Sequence, residues 1–472
     1  MSAAPWKSMK PQVHTYRDDA MGEHDGVALA ALVRSGDLSS TEVIEAAIAR
    51  VEAVDPILHA VQVRAYGRAR AASIDIDAPL AGVPTFIKDN TDVIGLPTNH
   101  GSACYVAKAA KQDSPVTTQY LSSGMVALGK SRLPEFGFNA ATEYRYEEPV
   151  RNPWNLEYTP GASSGGSGVL VAAGAVPVAH ANDGGGSIRI PASCNGLVGL
   201  KPSRGRFADG PQAKSAPINV VGEGVITRSV RDTAAYLAAA ERFAPARRMR
   251  PIGRVEGPAT TPLRIGLVID SPAGAETDDQ TRTAIERTAK ALEAMGHHVE
   301  PATVPVDEQF AADFVTYWGM LAFLATRTGR LLIDRRFDAT RADGLTLGLR
   351  SQFQRHLLDA PGALRRLKKT EAIYQAAFGR HDLILSPVLA HVPPKIGYLS
   401  PQQPFDQLMK RLTNYVAFTP LNNVSGGPAI AVPAGMSIEG VPIGAHLSGK
   451  IGDEATLLCV AFALEEANWG IV

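Results

Sequence analysis

Hydrophobic residues recur at helical spacing soon after the start of the chain. The run SSTE at residues 39–42 is a capping box, in which a serine and a glutamate satisfy free backbone N–H groups at the start of a helix. Apolar side chains then fall on one helical face, at Val43, Ile44, Ala47, Ile48 and Val51. The pattern predicts a helix that ends at Pro56, because proline lacks the N–H that a helix interior requires.

Short apolar runs alternate with helical patterns further along the chain. Residues 263–269 predict a strand, the run TDDQ at residues 277–280 caps a helix over residues 279–295, and another strand begins at His298. This order is typical of α/β architecture. The remaining predicted elements are strands at residues 83–87, 176–179, 382–386 and 429–432, a helix then a strand within residues 116–130, and helices at residues 167–175 and 453–467.

Two runs of small residues flank one of these predicted helix–strand units. Residues 161–168 read GASSGGSG and residues 183–191 read DGGGSIRIP, so each run places serine among glycines. Glycine lets backbone amides approach a reacting atom closely. A serine hydroxyl beside several free N–H groups is what acyl transfer needs, namely a nucleophile and donors for the oxyanion. The intervening unit can bring Ser163 and Ser187 together.

A serine nucleophile also needs a base, and Lys88 is the candidate. It ends the apolar run LAGVPTFIKDN at residues 80–90, which predicts a buried strand. Burial favours the neutral form of lysine, which can accept a proton. Asp89 is a poor partner for Lys88 because adjacent strand residues point to opposite faces. None of the eleven histidines lies in a recognisable partner motif.

Composition narrows the class of protein. The 472 residues carry 47 basic and 47 acidic side chains, so the net charge is zero, and no nucleic-acid or membrane surface is indicated. Three cysteines are too few and too scattered for a disulfide framework or a zinc site, which favours a cytoplasmic location. Residues 1–23 lack the apolar core of a signal peptide and are interpreted as a loose N-terminal arm.

The chemistry-bearing motifs resemble those of the amidase signature family. They are the run GVPTFIKD at residues 82–89 and the two serine runs. Further segments are similar to family segments from about residue 25 onward: RNPWN at residues 151–155, GLKPSRGR at 199–206, RSVRD at 228–232 and PIGAHL at 442–447. The resemblance therefore covers nearly the whole chain.

The resemblance implies a Ser–cis-Ser–Lys triad that hydrolyses amides through an acyl-enzyme. Ser187 would be the nucleophile, Ser163 the relay serine that follows a cis peptide bond, and Lys88 the base. The backbone amides of Ser187 and of the three preceding glycines would form the oxyanion hole: Gly184, Gly185 and Gly186. Gly137 matches a position at the family's acyl pocket. This chemistry needs neither a metal nor a cofactor.

The family fold is expected to be α/β, with one large mixed, twisted β-sheet flanked by helices on both faces. We expect residues 1–24 to form an N-terminal arm and residues 25–472 a single amidase domain. A mainly helical, aromatic-bearing stretch from Asp307 to Leu367 is interpreted as part of a cap over the active site, at about residues 305–415, where we expect substrate choice to be made.

Two features narrow the resemblance. Gly184 stands where the family usually has threonine, and the DGGGSIRIPA run resembles a subgroup that includes 6-aminohexanoate cyclic-dimer hydrolases. The chain has no cysteine between Cys194 and Cys459, where we associate a substrate-contacting cysteine with the cyclic-dimer enzyme. The predicted substrate is therefore a small, largely uncharged amide, cyclic or aryl-substituted. We also expect hydrolysis of esters as a side activity.

Three alternatives stay open on the sequence. A glutamine-hydrolysing amidotransferase subunit would work with a tRNA-binding partner, but Ile190 stands where that group commonly has glutamine. A non-catalytic scaffold would have no need of Lys88, Ser163 and Ser187 together. Phosphate binding is disfavoured because the run at residues 161–168 lacks the P-loop ending. We expect the chain to act without a partner subunit, with no nucleic acid or membrane, and a homodimer is compatible with this.

Overall fold

The computed structural model describes residues 9–210, 213, 216–259, 261–271, 274–304 and 306–470, and within them it contains fourteen α-helices and eleven β-strands. The helices, α1–α14 in chain order, are Gly26–Ser35, Ser40–Leu58, Tyr66–Arg70, Pro115–Leu121, Gly165–Ala172, Arg189–Asn195, Val230–Phe243, Asp279–Ala294, Glu308–Leu332, Gly344–Arg355, Ala360–Ala377, Phe405–Tyr415, Pro420–Ser425 and Glu454–Glu466. The strands, β1–β11, are Val61–Arg64, Pro84–Lys88, Val126–Ser131, Val178–Asp183, Val198–Lys201, Gly222–Thr227, Arg264–Leu267, His298–Pro301, Leu383–Pro387, Ala429–Met436 and Pro442–Gly449.

Eight of the strands form one large mixed sheet, in the order β4-β6-β5-β10-β11-β9-β7-β8. Neighbours from β4 to β9 pair antiparallel, while β7 pairs parallel with both β8 and β9. Helices cover both faces. On β11, a side chain at Gly444 would meet Ser193 of α6, whereas one at Gly449 would meet Leu457 of α14. These glycines are five positions apart and so face opposite sides of the strand. The predicted α/β fold is confirmed.

A second sheet of three strands, in the order β1-β3-β2, lies beside the edge strand β4. Side chains join the two sheets: Thr85 Oγ1 of β2 donates to the carbonyl oxygen of Val178 in β4 at 3.0 Å, and the Lys88 N–H donates to His180 Nδ1 at 3.3 Å. Because β2 ends at Lys88 and β4 ends at Asp183, the strand ends that carry these two polar residues lie side by side.

The helix predicted to end at Pro56 continues to Leu58, and this prediction was wrong by one half-turn. The capping box at Ser39 and Glu42 is present. The strand expected over residues 176–179 instead covers Val178–Asp183, and its preceding helix begins at Gly165. The N-cap of α8 is Asp278 rather than Thr277, since the Asp278 side chain accepts from the N–H of Thr281.

The N-terminal segment is not loose where the structure describes it, from residue 9 onward. The N–H of Val13 donates to Pro153 O, and that of Thr15 donates to Ala173 O. Asp19 forms an ion pair with the buried Arg50, and Met21 lies in the main hydrophobic core. The expectation of a loose arm was wrong because contacts with residues far away in the sequence hold this segment in place. Residues 1–8 lie outside the described residues.

Helices α9, α10 and α11 account for most of the stretch that was expected to be mainly helical, and residue 305 of the predicted cap lies outside the described residues. α9 and α10 pack closely, because Gly319 leaves room for the backbone of Leu349 and for Phe353. The rings of Phe323 and Phe353 are 5.5 Å apart. In the part of the chain that the structure describes, no helix has both the length and the apolar character needed to cross a membrane.

Candidate active site

Lys88 lies at the end of β2 with its side chain fully buried. Its Nζ is 2.8 Å from Ser163 Oγ and 2.7 Å from Asn182 Oδ1. Among the described residues, no carboxylate lies within ion-pair distance of this nitrogen. Burial lowers the pKa of Lys88 to about 7, while the more distant charges of Glu223 and Asp183 partly oppose the shift. The site therefore holds a lysine that is substantially neutral near pH 7.

Ser163 follows a cis peptide bond from Ala162 and is buried. Its hydroxyl faces two neighbours. One is the Lys88 amine, and the other is the backbone of Gly137, where a Cβ atom would lie 3.0 Å from Ser163 Oγ. Gly137 has a φ of 74°, in the region that favours glycine. A side chain at this position would be strained and would crowd the Ser163 hydroxyl.

Asn182 holds the lysine amine in place and is itself supported by Asn90. Asn182, in β4, offers Nζ both its side-chain oxygen and, at 3.3 Å, its backbone carbonyl. The Asn182 amide group also bonds to the amide of Asn90, with each side chain donating to the other. These neutral acceptors fix the position of Nζ without adding the negative charge that would stabilise an ammonium group.

Asp183 organises the loop that carries Ser187. One carboxylate oxygen accepts from the Gly186 N–H at 2.7 Å, and the other accepts from the Ile188 N–H at 3.1 Å. Arg189 forms an ion pair with the same carboxylate, with Nε at 2.8 Å. Burial favours the neutral acid, but Arg189 and Asn423 outweigh it and hold the pKa of Asp183 well below its usual range. Arg189 and Asp183 together brace the loop that carries Ser187.

The backbone amides around Ser187 differ in what they contact. Of the four amides predicted to form the oxyanion hole, that of Gly186 already donates to Asp183, so the prediction needs correction at this position. Among the described residues, no hydrogen bond is found for the N–H groups of Gly184, Gly185 and Ser187. Three amides are thus free to bind an anionic oxygen.

Ser187 opens onto a pocket of about 100 Å³. Gly137, Ala162 and Gly185 line this pocket together with Ser187, which is 8% exposed. The other walls are mostly apolar side chains from the loop after β3 and from α9, α10 and α12, among them Phe138, Phe314, Trp318, Leu345, Met409, Leu412 and Val416. No charged side chain lines this pocket among the described residues.

An aromatic cluster forms one wall of the pocket. Trp318 stacks on Phe314 with 5.2 Å between ring centroids and meets Phe138 edge-on at 5.6 Å. Its indole N–H donates to the Phe138 carbonyl at 3.1 Å, which fixes the ring. A Cβ atom at Gly184 would lie 3.4 Å from the Trp318 ring. The glycine at position 184 therefore brings the nucleophile loop and the aromatic wall into direct contact.

Comparison with known proteins decides the family. The family model described as Amidase matches residues 42–458. A protein of Mycobacterium tuberculosis named "Putative amidase AmiC" is 48% identical over 461 residues, covering 97% of each chain. The chain belongs to the amidase signature family. Its reaction is the hydrolysis of amide bonds, which the family carries out through a serine acyl-enzyme.

Other relatives of this amidase cleave a cyclic amide. The 6-aminohexanoate-cyclic-dimer hydrolase of Pseudomonas sp. is 37% identical over 478 residues, covering 94% of each chain. The solved structure of a 6-aminohexanoate cyclic dimer hydrolase matches with a TM-score of 0.84 and 32% identity, over 96% of this chain and 98% of that one. The resemblance inferred from the sequence motifs is confirmed, both for the family and for this subgroup.

Sequence reasoning missed several residues that shape the amidase site. Asn182 and Asp183 directly precede the glycine run, and that position was their only signal in the sequence. Thr419 and Trp318 reach the site from distant segments and lie in no motif that marks them. Two nearby tyrosines do not line the pocket: Tyr146 is 59% exposed, and the ring of Tyr144 lies under the Arg132 guanidinium.

Proposed function

We propose that this amidase hydrolyses small, uncharged amides with an apolar or aryl acyl group, using Ser187 as nucleophile, Ser163 as proton relay and Lys88 as base. The observation that carries the assignment is the 2.8 Å contact between the buried Lys88 amine and the Ser163 hydroxyl, beside the pocket that contains Ser187. A lysine buried without a carboxylate partner costs stability, and a need for a neutral amine explains its presence.

The reaction begins with two proton transfers. Neutral Lys88 accepts the proton of Ser163, and Ser163 accepts that of Ser187, whose oxygen attacks the amide carbonyl carbon. Free N–H groups of the nucleophile loop stabilise the negative charge on the carbonyl oxygen, with Gly184 and Gly185 as the foremost donors. The relay then returns the proton to the leaving amine. Water attacks the resulting ester at Ser187 and releases the carboxylic acid.

The pocket walls support the proposed substrate class. A charged group placed against Phe138, Trp318 and Leu412 would lose its hydration without gaining a partner, which costs several kcal/mol. The apolar lining and small volume favour a compact acyl or aryl group instead. Charged substrates and large peptides are therefore disfavoured.

A panel of amides tests this substrate class directly. The purified chain is assayed on a benzamide, an anilide, a cyclic dipeptide and a short aliphatic amide, with glutamine as the contrast. We expect turnover of the neutral amides and none of glutamine. Glutaminase activity that requires a second protein, with no hydrolysis of the free amides, would overturn the proposal in favour of an amidotransferase subunit.

Replacing Trp318 is expected to change which amides are preferred. In Trp318→Leu the stacking with Phe314 is lost, so kcat/KM for an aryl amide should fall about tenfold relative to a short aliphatic amide. Trp154→Leu is the matched control, because Trp154 also donates its indole N–H to a backbone carbonyl, that of Asn195, yet lies outside the pocket. An unchanged ratio of the two kcat/KM values in Trp318→Leu would exclude Trp318 as a specificity residue.

A further inference from the structure

Thr419 reaches the nucleophile loop from a segment 234 residues away in the sequence. It is fully buried at the start of α13, and its Oγ1 donates to the carbonyl oxygen of Gly185 at 2.6 Å. The hydroxyl also packs against the next residue, since a Cβ atom at Gly186 would lie 2.4 Å from Thr419 Oγ1. One side chain thus contacts the middle of the glycine run directly.

The peptide unit between Gly185 and Gly186 is held at both ends. Thr419 binds its carbonyl oxygen, and Asp183 binds its N–H at 2.7 Å. Gly186 has a φ of 131°, which glycine adopts readily and other residues rarely do. Three consecutive glycines have no side chains of their own to fix the peptide planes. The two bonds to this peptide unit therefore determine where the neighbouring amides point.

The same short helix, α13, contacts the loop that carries Ser187 at a second point. Asn423, one turn after Thr419, donates to the backbone and side-chain oxygens of Asp183, at 2.8 Å each, and accepts from Arg189 at 2.7 Å. Asn423 thereby supports the Asp183 carboxylate that binds Gly186. Thr419 is the group in this helix that acts on Gly185 itself.

We propose that Thr419 is a positioning residue of the amide hydrolase, and that its hydroxyl orients the Gly185 peptide so that the free amides of Gly184 and Gly185 meet the oxyanion. Without this bond the Gly185 carbonyl can rotate toward the pocket, where its negative end would oppose the charge on the reacting oxygen. The inference rests on the proposed role of Ser187. It predicts an effect on the rate of acylation rather than on substrate binding.

Two substitutions separate the hydroxyl from the shape of the side chain. Thr419→Val keeps the shape and removes the donor, so kcat should fall about 10- to 100-fold with KM within about twofold of the native value. Thr419→Ser keeps the donor and should retain kcat within about threefold. Thr288→Val is the matched control, because Thr288 is also buried and its hydroxyl also donates to a backbone carbonyl, that of Ala284, but it lies outside the pocket lining.

Inhibitor affinity provides a second readout. A boronic acid that forms a tetrahedral adduct with the serine should bind Thr419→Val more weakly by about the same factor as the loss in kcat/KM. The pair Thr419→Ser and Thr419→Ala repeats the comparison with smaller side chains, so that the test does not depend on the valine variant folding.

Three results would overturn the inference: native kcat in Thr419→Val, equal losses in Thr419→Ser and Thr419→Val, or a loss confined to KM. These outcomes are distinct from failure of the proposed function, because every variant is compared on whichever amide or ester the native enzyme hydrolyses. An inactive native enzyme, or a fully active Ser187→Ala, would contradict the proposed function instead.

Discussion

Ser187→Ala is expected to lower kcat for amide hydrolysis by on the order of 10⁴-fold or more, because no other hydroxyl can form the acyl-enzyme in its place. The folded structure should persist. Among the described residues the Ser187 hydroxyl has no hydrogen-bond partner whose loss would destabilise the loop. Turnover of an anilide, followed by release of the aniline, measures the rate, and the thermal unfolding midpoint checks the fold.

Ser193→Ala is the control for this substitution. Ser193 is buried in α6, six residues after Ser187 and outside the pocket lining. The variant should keep native kcat. A Ser187→Ala enzyme that retains more than a few per cent of native turnover would assign the nucleophile to another residue.

Lys88→Met is expected to lower kcat/KM by about 10²- to 10⁴-fold, the usual contribution of a general base, and to remove a pH dependence. In the native enzyme, kcat/KM should rise as pH increases through about 7 and then level off, since Lys88 accepts a proton only when neutral and burial lowers its pKa to about 7. The residual activity of Lys88→Met should lack this inflection. A pH–rate profile from pH 5 to 9 measures both effects.

The chain offers a matched control for this profile. Lys201 is also fully buried, and its pKa is lowered to about 7, first by burial and then by the charge of Arg189. Its amine donates to the Pro202 carbonyl at 2.6 Å and lies outside the pocket lining. Lys201→Met should preserve the inflection near pH 7. If the inflection were lost in Lys201→Met and retained in Lys88→Met, the group that titrates would be Lys201, and our assignment to Lys88 would be wrong.

Local signals in the sequence identified the three residues proposed to carry the chemistry. Lys88 ends an apolar run, and Ser163 and Ser187 stand among glycines, so residue type and near neighbours made them candidates, while the roles proposed for them came from the resemblance to the family. The same local reasoning predicted the helices α2 and α8 and the alternation that indicates an α/β fold. It failed at Pro56, because the helix continues for two residues beyond the proline.

The groups that support the site could not be predicted in the same way. Thr419 and Asn423 act on a loop more than 230 residues earlier, and this contact exists only in the folded chain. The engagement of the Gly186 amide by Asp183 depends on the conformation of the loop rather than on its composition. Likewise, the aromatic character of α9 was visible, but the packing of Trp318 against Gly184 follows from how the helix docks.

Trapping the covalent intermediate tests the central claim most directly. The native enzyme is treated with a serine-directed phosphonate, and the modified residue is located by mass spectrometry of proteolytic peptides. We predict one phosphonyl group, on Ser187, no labelling of Ser187→Ala, and slow labelling of Lys88→Met. A label on Ser163 or Ser164 of the native enzyme, with Ser187 unmodified, would contradict the account.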